Sequence, residues 1–401
     1  MNVVGKIRMI VAVLLILTGP GAMVANAQGL VGRYIVCQMT AGETLLYALD
    51  FGAAGVVSDV ALIAASFEIS SEDVDPDTAA QFVIGIPEGV ITVVGADGSF
   101  AFTGLDLAGM VSRDGQFISF VRTTAGGISQ LAFGIRTGAG LSDTTLTGNA
   151  FIHVLELDIV GTTAFDLVSA SYVIDATFNG MGMMRGEIVA GTIVDAEPVV
   201  SADYRVEENG QLTIDFKGMD NSDIPETPDN GVISSDGAVF AAVDTTWGDG
   251  DIRILIGIRQ TREDTLTAAD FASDYYFTEL AVNGPIVVAR GQFIDTFGEL
   301  SFDGFASYHL NPLFTTCQSP LKSSTDVITV YSDGLFQADS LLGTLQSDGE
   351  LFVSSTISPD TSGLRVAFSQ NILIVDPRRQ LVVEPEDNDD FCFIGASGAR
   401  H

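Results

Sequence analysis

The chain has 401 residues, of which 52 are Asp or Glu and 18 are Lys or Arg, for a formal net charge of −34 at pH 7. A surface of that sign repels nucleic-acid phosphates and anionic lipid headgroups, which excludes nucleic-acid binding. Three cysteines, Cys37, Cys317 and Cys392, allow one disulfide at most, and a chain this long has interior enough to fold without a disulfide framework.

Residues 1–27 fit a secretory signal. Lys6 and Arg8 supply the positive start, Met9 to Leu17 the short apolar core, and Ala25-Asn26-Ala27 the small-x-small cleavage pattern, so cleavage is expected before Gln28. No later stretch reaches the ~20 consecutive apolar residues of a membrane-spanning helix, so no transmembrane span is expected in the mature chain. The chain is therefore expected to be exported, to the periplasm, the cell surface or the medium of a Gram-negative-type bacterium.

From residue 30 onward the sequence repeats itself. "SRDGQFISF" (112–120) returns as "SSDGAVFAA" (234–242) and "QSDGELFVS" (346–354). Each is followed by a second shared line, "LAFGIR" (131–136), "ILIGIR" (254–259) and "VAFSQN" (366–371). Gly115 to Gly134 spans 19 positions, and Gly237 to Gly257 and Gly349 to Ser369 span 20 each. Such constancy marks an internal triplicate. The starts align as "LVGRYIV" (30–36), "LTGNAFI" (146–152) and "FASDYYF" (271–277). The expected organisation is 28–140, 141–264 and 265–380 for the three copies, followed by a tail at 381–401.

Within a copy the apolar residues alternate. In "DIRILIGIRQ", Ile252, Ile254, Ile256 and Ile258 fall on one face, with Arg253, Leu255, Gly257 and Arg259 on the other, which is the strand period. Asp-Gly and Asn-Gly pairs recur where hairpins need positive φ. The expectation is an all-β protein of about eight antiparallel strands per copy. A sheet of that length with an apolar face must curl or stack, which gives three up-and-down barrels or, as the alternative, a six-bladed propeller of double blades. An outer-membrane barrel fits poorly, because a single Trp and eight Tyr supply no aromatic girdles.

An apolar-x-Gly-x-x-aromatic opening, eight meandering strands and a basic residue on the last strand resemble the calycin barrels, the lipocalin- and avidin-like proteins. The resemblance implies an aromatic residue on the first strand packed beneath a basic residue from the last: Tyr34 with Arg136, and Phe151 with Arg259. The third copy departs from the pattern, with Tyr276 but Asn371, and the family's Trp is absent from every copy. Arg136 and Arg259 read equally as strand-end residues facing water.

Chemistry is sparsely supplied. The three histidines, His153, His309 and His401, recur in no second copy and have no nucleophile motif around them. Zinc spacings are missing. Three acidic loops, 72–77, 220–230 and 247–251, miss the twelve-residue calcium pattern. Asp249 and Asp251, beside Gly, are the candidate calcium ligands, with solvated turns as the other reading. No further cofactor is expected. After the third copy, Glu384 to Asp390 reads as an extended acidic linker. Cys392-Phe393-Ile394 beyond it resembles the CFI-box tails of exported bacterial proteins, which implies that Cys392 is a point of modification, sorting or cross-linking.

The functional expectation is a non-enzymatic, exported β-repeat protein that binds an extracellular or cell-surface partner or plays a structural part, since copies of a rigid unit multiply contacts. A barrel carrier of a small apolar ligand, with Gly134 and Gly257 leaving room inside, is the first alternative. A carboxylate-dependent hydrolase is the second. Oligomeric state is left open.

Overall fold

The computed structural model describes residues 30–40, 43–66, 84–95, 97–123, 129–159, 166–192, 199–217, 228–246, 251–260, 268–271, 274–283, 288–289, 292–302, 307–315, 324–331, 334–358 and 361–370. All regular structure in them is β apart from short 3-10 turns. The expected class is the observed one: in each copy the antiparallel meander curls round an apolar interior rather than forming propeller blades, and the third copy is a closed eight-stranded barrel.

In the first copy, β1 (Gly32–Thr40), β2 (Thr44–Phe51), β3 (Val57–Ala65), β4 (Thr92–Val94), β5 (Ser99–Phe102), β6 (Leu107–Val111), β7 (Phe117–Arg122) and β8 (Gln130–Arg136) form one sheet in which β1 pairs with β8. The ring is drawn together between β3 and β4 by the bridge Val56↔Ile91 and by the bond from Val57 N to Val90 O, 2.8 Å. The second copy has β9 (Thr147–Ile159), β10 (Asp166–Asn179), β11 (Met183–Gly191), β12 (Val199–Val206), β13 (Gln211–Lys217), β14 (Asp229–Ile233), β15 (Val239–Val243) and β16 (Asp251–Arg259). Here every neighbour pairs and β16 returns to β9, so the ring is complete. The third copy has β17 (Asp274–Asn283), β18 (Val288–Ala289), β19 (Gln292–Phe302), β20 (Ser307–Thr315), β21 (Ser324–Val330), β22 (Leu335–Ala338), β23 (Leu341–Leu345), β24 (Leu351–Ser358) and β25 (Thr361–Ser369). It is a closed eight-stranded barrel, while β18 leaves it to pair with the start of β10.

Among the described residues, aromatic side chains occupy the interior of each barrel. Tyr34, Tyr47, Phe51, Phe100, Phe102 and Phe120 fill the first. Tyr172, Phe178, Tyr204, Phe216 and Phe240 fill the second, and Phe271, Tyr275, Phe277, Phe336 and Phe352 the third. The rings meet edge to face, as at Phe336–Phe352 (5.4 Å, 90°), the arrangement favoured by their quadrupoles. A glycine lets the rings lie flat against the wall. A Cβ on Gly257 would stand 2.0 Å from Phe240 Cζ, and one on Gly343 would stand 2.2 Å from Phe336 Cζ.

A fourth apolar cluster lies outside all three barrels and joins them. The outward residues of the repeated last strands, Leu131, Phe133 and Ile135, then Ile254, Ile256 and Ile258, then Leu364, Val366 and Phe368, converge in it. Phe117 of β7 stacks on Phe133 at 6.2 Å and on Phe368 of the third barrel at 6.3 Å. The sequence line that recurs three times is thus written for two cores at once: alternate residues point into the barrel, and the others point into the shared centre. Strands bordering the centre are buried on both faces, as β8 is, whereas β12 and β13 on the far side alternate buried with exposed.

Candidate functional site

Each barrel has one end closed by the Asp-Gly turn between its sixth and seventh strands. At that end of the first barrel, Tyr34 of β1 lies directly across from Arg136 of β8. The Tyr34 hydroxyl donates to the carbonyl of Gly115 at 2.6 Å. Burial pushes this phenol up to about 12, opposed by the Arg136 charge and aided by Asp114. Beside it is a pocket of about 220 Å³, with Leu30, Val31 and Val111 on its apolar side and Tyr34, Asp114 and Arg136 on its polar side.

The second barrel departs from the expected pairing. Phe151 lies across from Ile258, and Arg259 across from Ala150. With a side-chain period of two, a shift of one residue moves Phe151 to the outer wall. There it packs with Val173, Leu335 and Leu342 against the third barrel. Arg259 donates instead to the carbonyls of Thr145 (3.0 Å) and Asp236 (2.8 Å). In the third barrel Tyr275, not Tyr276, occupies the inward position, and its hydroxyl donates to Gly349 O at 2.7 Å. Tyr276 faces outward and donates to Asp97 of the first barrel at 2.8 Å. Asn371 lies outside the described residues. The repeated opening therefore puts Tyr34, Ala150 and Tyr275 at one position, and the tyrosines there latch onto the glycine of the Asp-Gly turn.

The opposite ends hold charges that the sequence reading passed over. At the start of the last strand, Gln130, Arg253 and Arg365 occupy equivalent positions facing inward. Arg253 reaches Asp229 with a two-pronged contact, Nε to Oδ2 at 3.1 Å and Nη2 to Oδ1 at 3.0 Å, and lies 5.2 Å over the Phe216 ring. Its Nη1 is 3.9 Å from Glu156, whose Oε2 accepts the Tyr172 hydroxyl at 2.7 Å. Asp229 is 1% exposed, Arg253 13% and Glu156 26%, so the network opens toward solvent on the Glu156 side, away from Asp229. Burial raises the Asp229 carboxyl to about 6 in spite of Arg253. In the third barrel Arg365 Nη2 pairs with Glu279 at 3.0 Å and the guanidinium lies 4.6 Å over Phe277. The signal for this network was Arg253 itself, an arginine on the face of "DIRILIGIR" opposite the isoleucines.

The other candidates are placed as follows. Asp249, Cys317 and Cys392 lie outside the described residues, and Asp251 is described only as the backbone partner of Asp158. Cys37 is a free, buried thiol. Among the described residues no group of three or more His, Cys, Asp or Glu side chains is arranged to hold a metal ion. His153 is buried between the second and third barrels, with Nδ1 3.1 Å from Ser355 Oγ and Nε2 2.9 Å from Thr344 Oγ1. Burial pushes its pKa down to about 3. A histidine beside a serine is a nucleophile-base pair in form, but here both side chains are sealed in an interface. No helix of the described residues is long and apolar enough to cross a membrane.

No family model and no curated protein matches the chain. Among solved structures it is similar to the isotype 1 transferrin binding protein B of serogroup B Neisseria meningitidis, at 9% identity over 63% of this chain and 84% of that one, with a TM-score of 0.22. It is similar also to intact Ap-TbpB with its N and C lobes (8%, 88% and 98%, TM-score 0.23). A third is a protein of unknown function from the DUF3598 family of Nostoc punctiforme (9%, 57% and 97%, TM-score 0.20).

Proposed function

We infer that this chain is an exported, non-enzymatic protein whose three barrels serve as one rigid body for binding an extracellular or cell-surface partner, or for a structural part at the cell surface. The observation that carries this reading is the cluster of buried aromatic side chains in the described interior of each barrel. The space expected at Gly134 is taken by Ile118, 2.7 Å from where a Cβ would stand, and that at Gly257 by Phe240. A carrier needs a concave site, and pockets that hold small molecules run to roughly 300–1,000 Å³. With aromatic clusters in the described interiors and the barrels docked on one another, outer walls and loop ends are the surfaces this reading assigns to recognition.

The test is native mass spectrometry on the protein isolated from its own host, with the periplasmic, surface and medium fractions kept apart. The expected result is the bare polypeptide, recovered outside the cytoplasm. A stoichiometric small molecule released on denaturation would replace this reading with that of a carrier. Recovery in the cytoplasmic fraction with residues 1–27 attached would remove the exported role.

A further inference from the structure

β11, β12 and β13 of the second barrel contribute nothing to the apolar cluster that joins the three barrels. Their alternate residues face water instead. Met183 is 47% exposed, Val189 45% and Val199 70%, and Met181, in the turn ahead of β11, is 79% exposed. Exposed apolar residues scattered singly mean little, whereas a group of them on neighbouring strands marks a contact site. Arg185, Arg205 and Lys217 share the same face, so three of the chain's 18 Lys and Arg meet on one wall of a molecule whose formal charge is −34. Met and Arg are both enriched where proteins touch.

Along β11 the outward residues run Met183, Arg185, Glu187, Val189, that is, apolar, positive, negative, apolar. Turned end for end, this order is its own complement. Across the strands neither charge meets its opposite. Arg185 lies across from Thr177 on β10 and Ser201 on β12, and Glu187 lies across from Asp175 and Val199. Two carboxylates directly opposite on a sheet, as Glu187 and Asp175 are, work against the pairing. At the β13 edge, by contrast, Lys217 lies 3.5 Å from Asp203 and also contacts Asp215, so charge there is matched within the molecule.

We propose that this wall is the interface of a twofold dimer, with a second copy of the chain as its occupant. In a twofold contact one patch serves both subunits, so that where residue i meets j, j also meets i. The two β11 strands lie face to face and antiparallel, with the axis passing between the walls at Gly186. Arg185 then meets Glu187 of the second copy, Glu187 meets Arg185 of the second copy, and Met183 and Val189 close on each other at both ends. The same turn sets Asp175 opposite Thr177 and Val199 opposite Ser201, so these side chains meet neutral ones. Stacked sheets lie ~10 Å apart, a gap that paired long side chains fill. Nine residues of β11 make the wall about 30 Å long, and its strands make it about 20 Å wide. That is about 600 Å² a side, the low end of specific interfaces, so the dimer is a reversible one. Two copies so joined present every binding surface twice, which raises avidity for any partner that is itself repeated.

The test is sedimentation equilibrium on the full chain beginning at the expected cleavage point, Gln28. Concentrations run up to about 0.1 mM, where a dimer with a Kd of ~10 μM is mostly formed, and the parent is expected to dimerise. Arg185→Glu and Glu187→Arg each set like charges against each other twice in the twofold contact, and each is expected to weaken the dimer by about tenfold or more. Both side chains are exposed, so the melting temperatures should stay close to the parent's. Mixed in equal amounts, the two variants are expected to form a heterodimer, because each offers the charges the other lacks. The chain carrying both R185E and E187R is expected to dimerise like the parent. A parent that stays monomeric, single reversals that dimerise as the parent does, or a mixture that stays monomeric while each variant is folded would overturn the proposal.

Discussion

Asp229 and Arg253 illustrate how much one buried pair can weigh. The carboxylate is 1% exposed and its two oxygens are both taken by the guanidinium. Removing one partner of such a pair leaves the other uncompensated, whereas replacing both with apolar groups is often close to neutral. Arg253→Met is therefore expected to cost about 3–5 kcal/mol in urea unfolding at pH 7, and Arg253→Met with Asp229→Leu to recover most of it. The loss should also depend on pH. The folded carboxyl already titrates near 6, above its unfolded value of ~3.9, so the folded state takes up its proton first. Stability from this group rises as pH falls through 6, and without Arg253 the carboxyl is raised further, so the penalty of Arg253→Met shrinks in mild acid. A penalty that held constant from pH 7 to 5 would show that Asp229 is not its source.

At the scale of elements, one outward-facing repeat position, that of Cys37, His153 and Thr278, lies at the contacts between barrels: Cys37 is in the shared apolar cluster, and the other two make polar bonds across. Thr278 bonds Ser119 of the first barrel at 2.5 Å, and His153 bonds Ser355 and Thr344 of the third. His153 faces Val173 on β10 and Ile256 on β16, so hydroxyls and apolar groups surround it. Its folded pKa of about 3 lies below the unfolded value of ~6.5. The interface is thus whole above ~6.5 and weakens as pH falls from there toward 3, because the unfolded imidazole binds a proton that the folded one refuses, at up to ~1.4 kcal/mol per pH unit. His153→Gln keeps a donor and an acceptor without titrating. The difference in urea midpoint between parent and variant should move in the variant's favour between pH 7 and 5, and an unchanged difference would sink this account. The same elements show what sequence patterning could reach. Alternation marked the strands of β12 and β13 because one face meets water, and the Asp-Gly turns marked their hairpins. It could not say which face of "ILIGIR" was the interior, since both are apolar and both are buried. Phe151 was accordingly placed inside a barrel when it belongs to the wall against the third. Arg253 stood in plain view, but only the fold brings Asp229, 24 residues earlier, and Glu156, 97 residues earlier, to its side.

At the scale of the molecule, triplication brings like to like. The Asp-Gly turns come together at one end of the assembly, so Asp114, Asp236 and Asp348, one from each copy, feel one another's charge. Each is held in its own turn: Asp114 Oδ1 accepts Ser112 Oγ at 2.7 Å, Asp236 Oδ1 accepts Ser234 Oγ at 2.7 Å, and Asp348 Oδ1 accepts Glu350 N at 2.9 Å. Burial raises the Asp348 carboxyl first, with Asp114 and then Asp236 adding to it against the bond from Glu350. Its folded pKa is above the unfolded one, so ionisation at neutral pH works against the fold, and stability from this group returns as pH falls through the raised value. Asp348→Asn retains the acceptor that makes the turn and removes the repulsion. At pH 7 and low salt it should stabilise the chain by a few tenths to about 1 kcal/mol. In 1 M salt, where charges are screened beyond roughly 3 Å, the part of the gain that comes from Asp114 and Asp236 should vanish, leaving the part that comes from burial. A gain unaffected by salt would mean that burial of Asp348, and not the meeting of three like charges, sets it. The outcome also bears on the chain's formal charge of −34: if three turn carboxylates already repel measurably, added cations stabilise this protein by screening alone, with no dedicated metal site required.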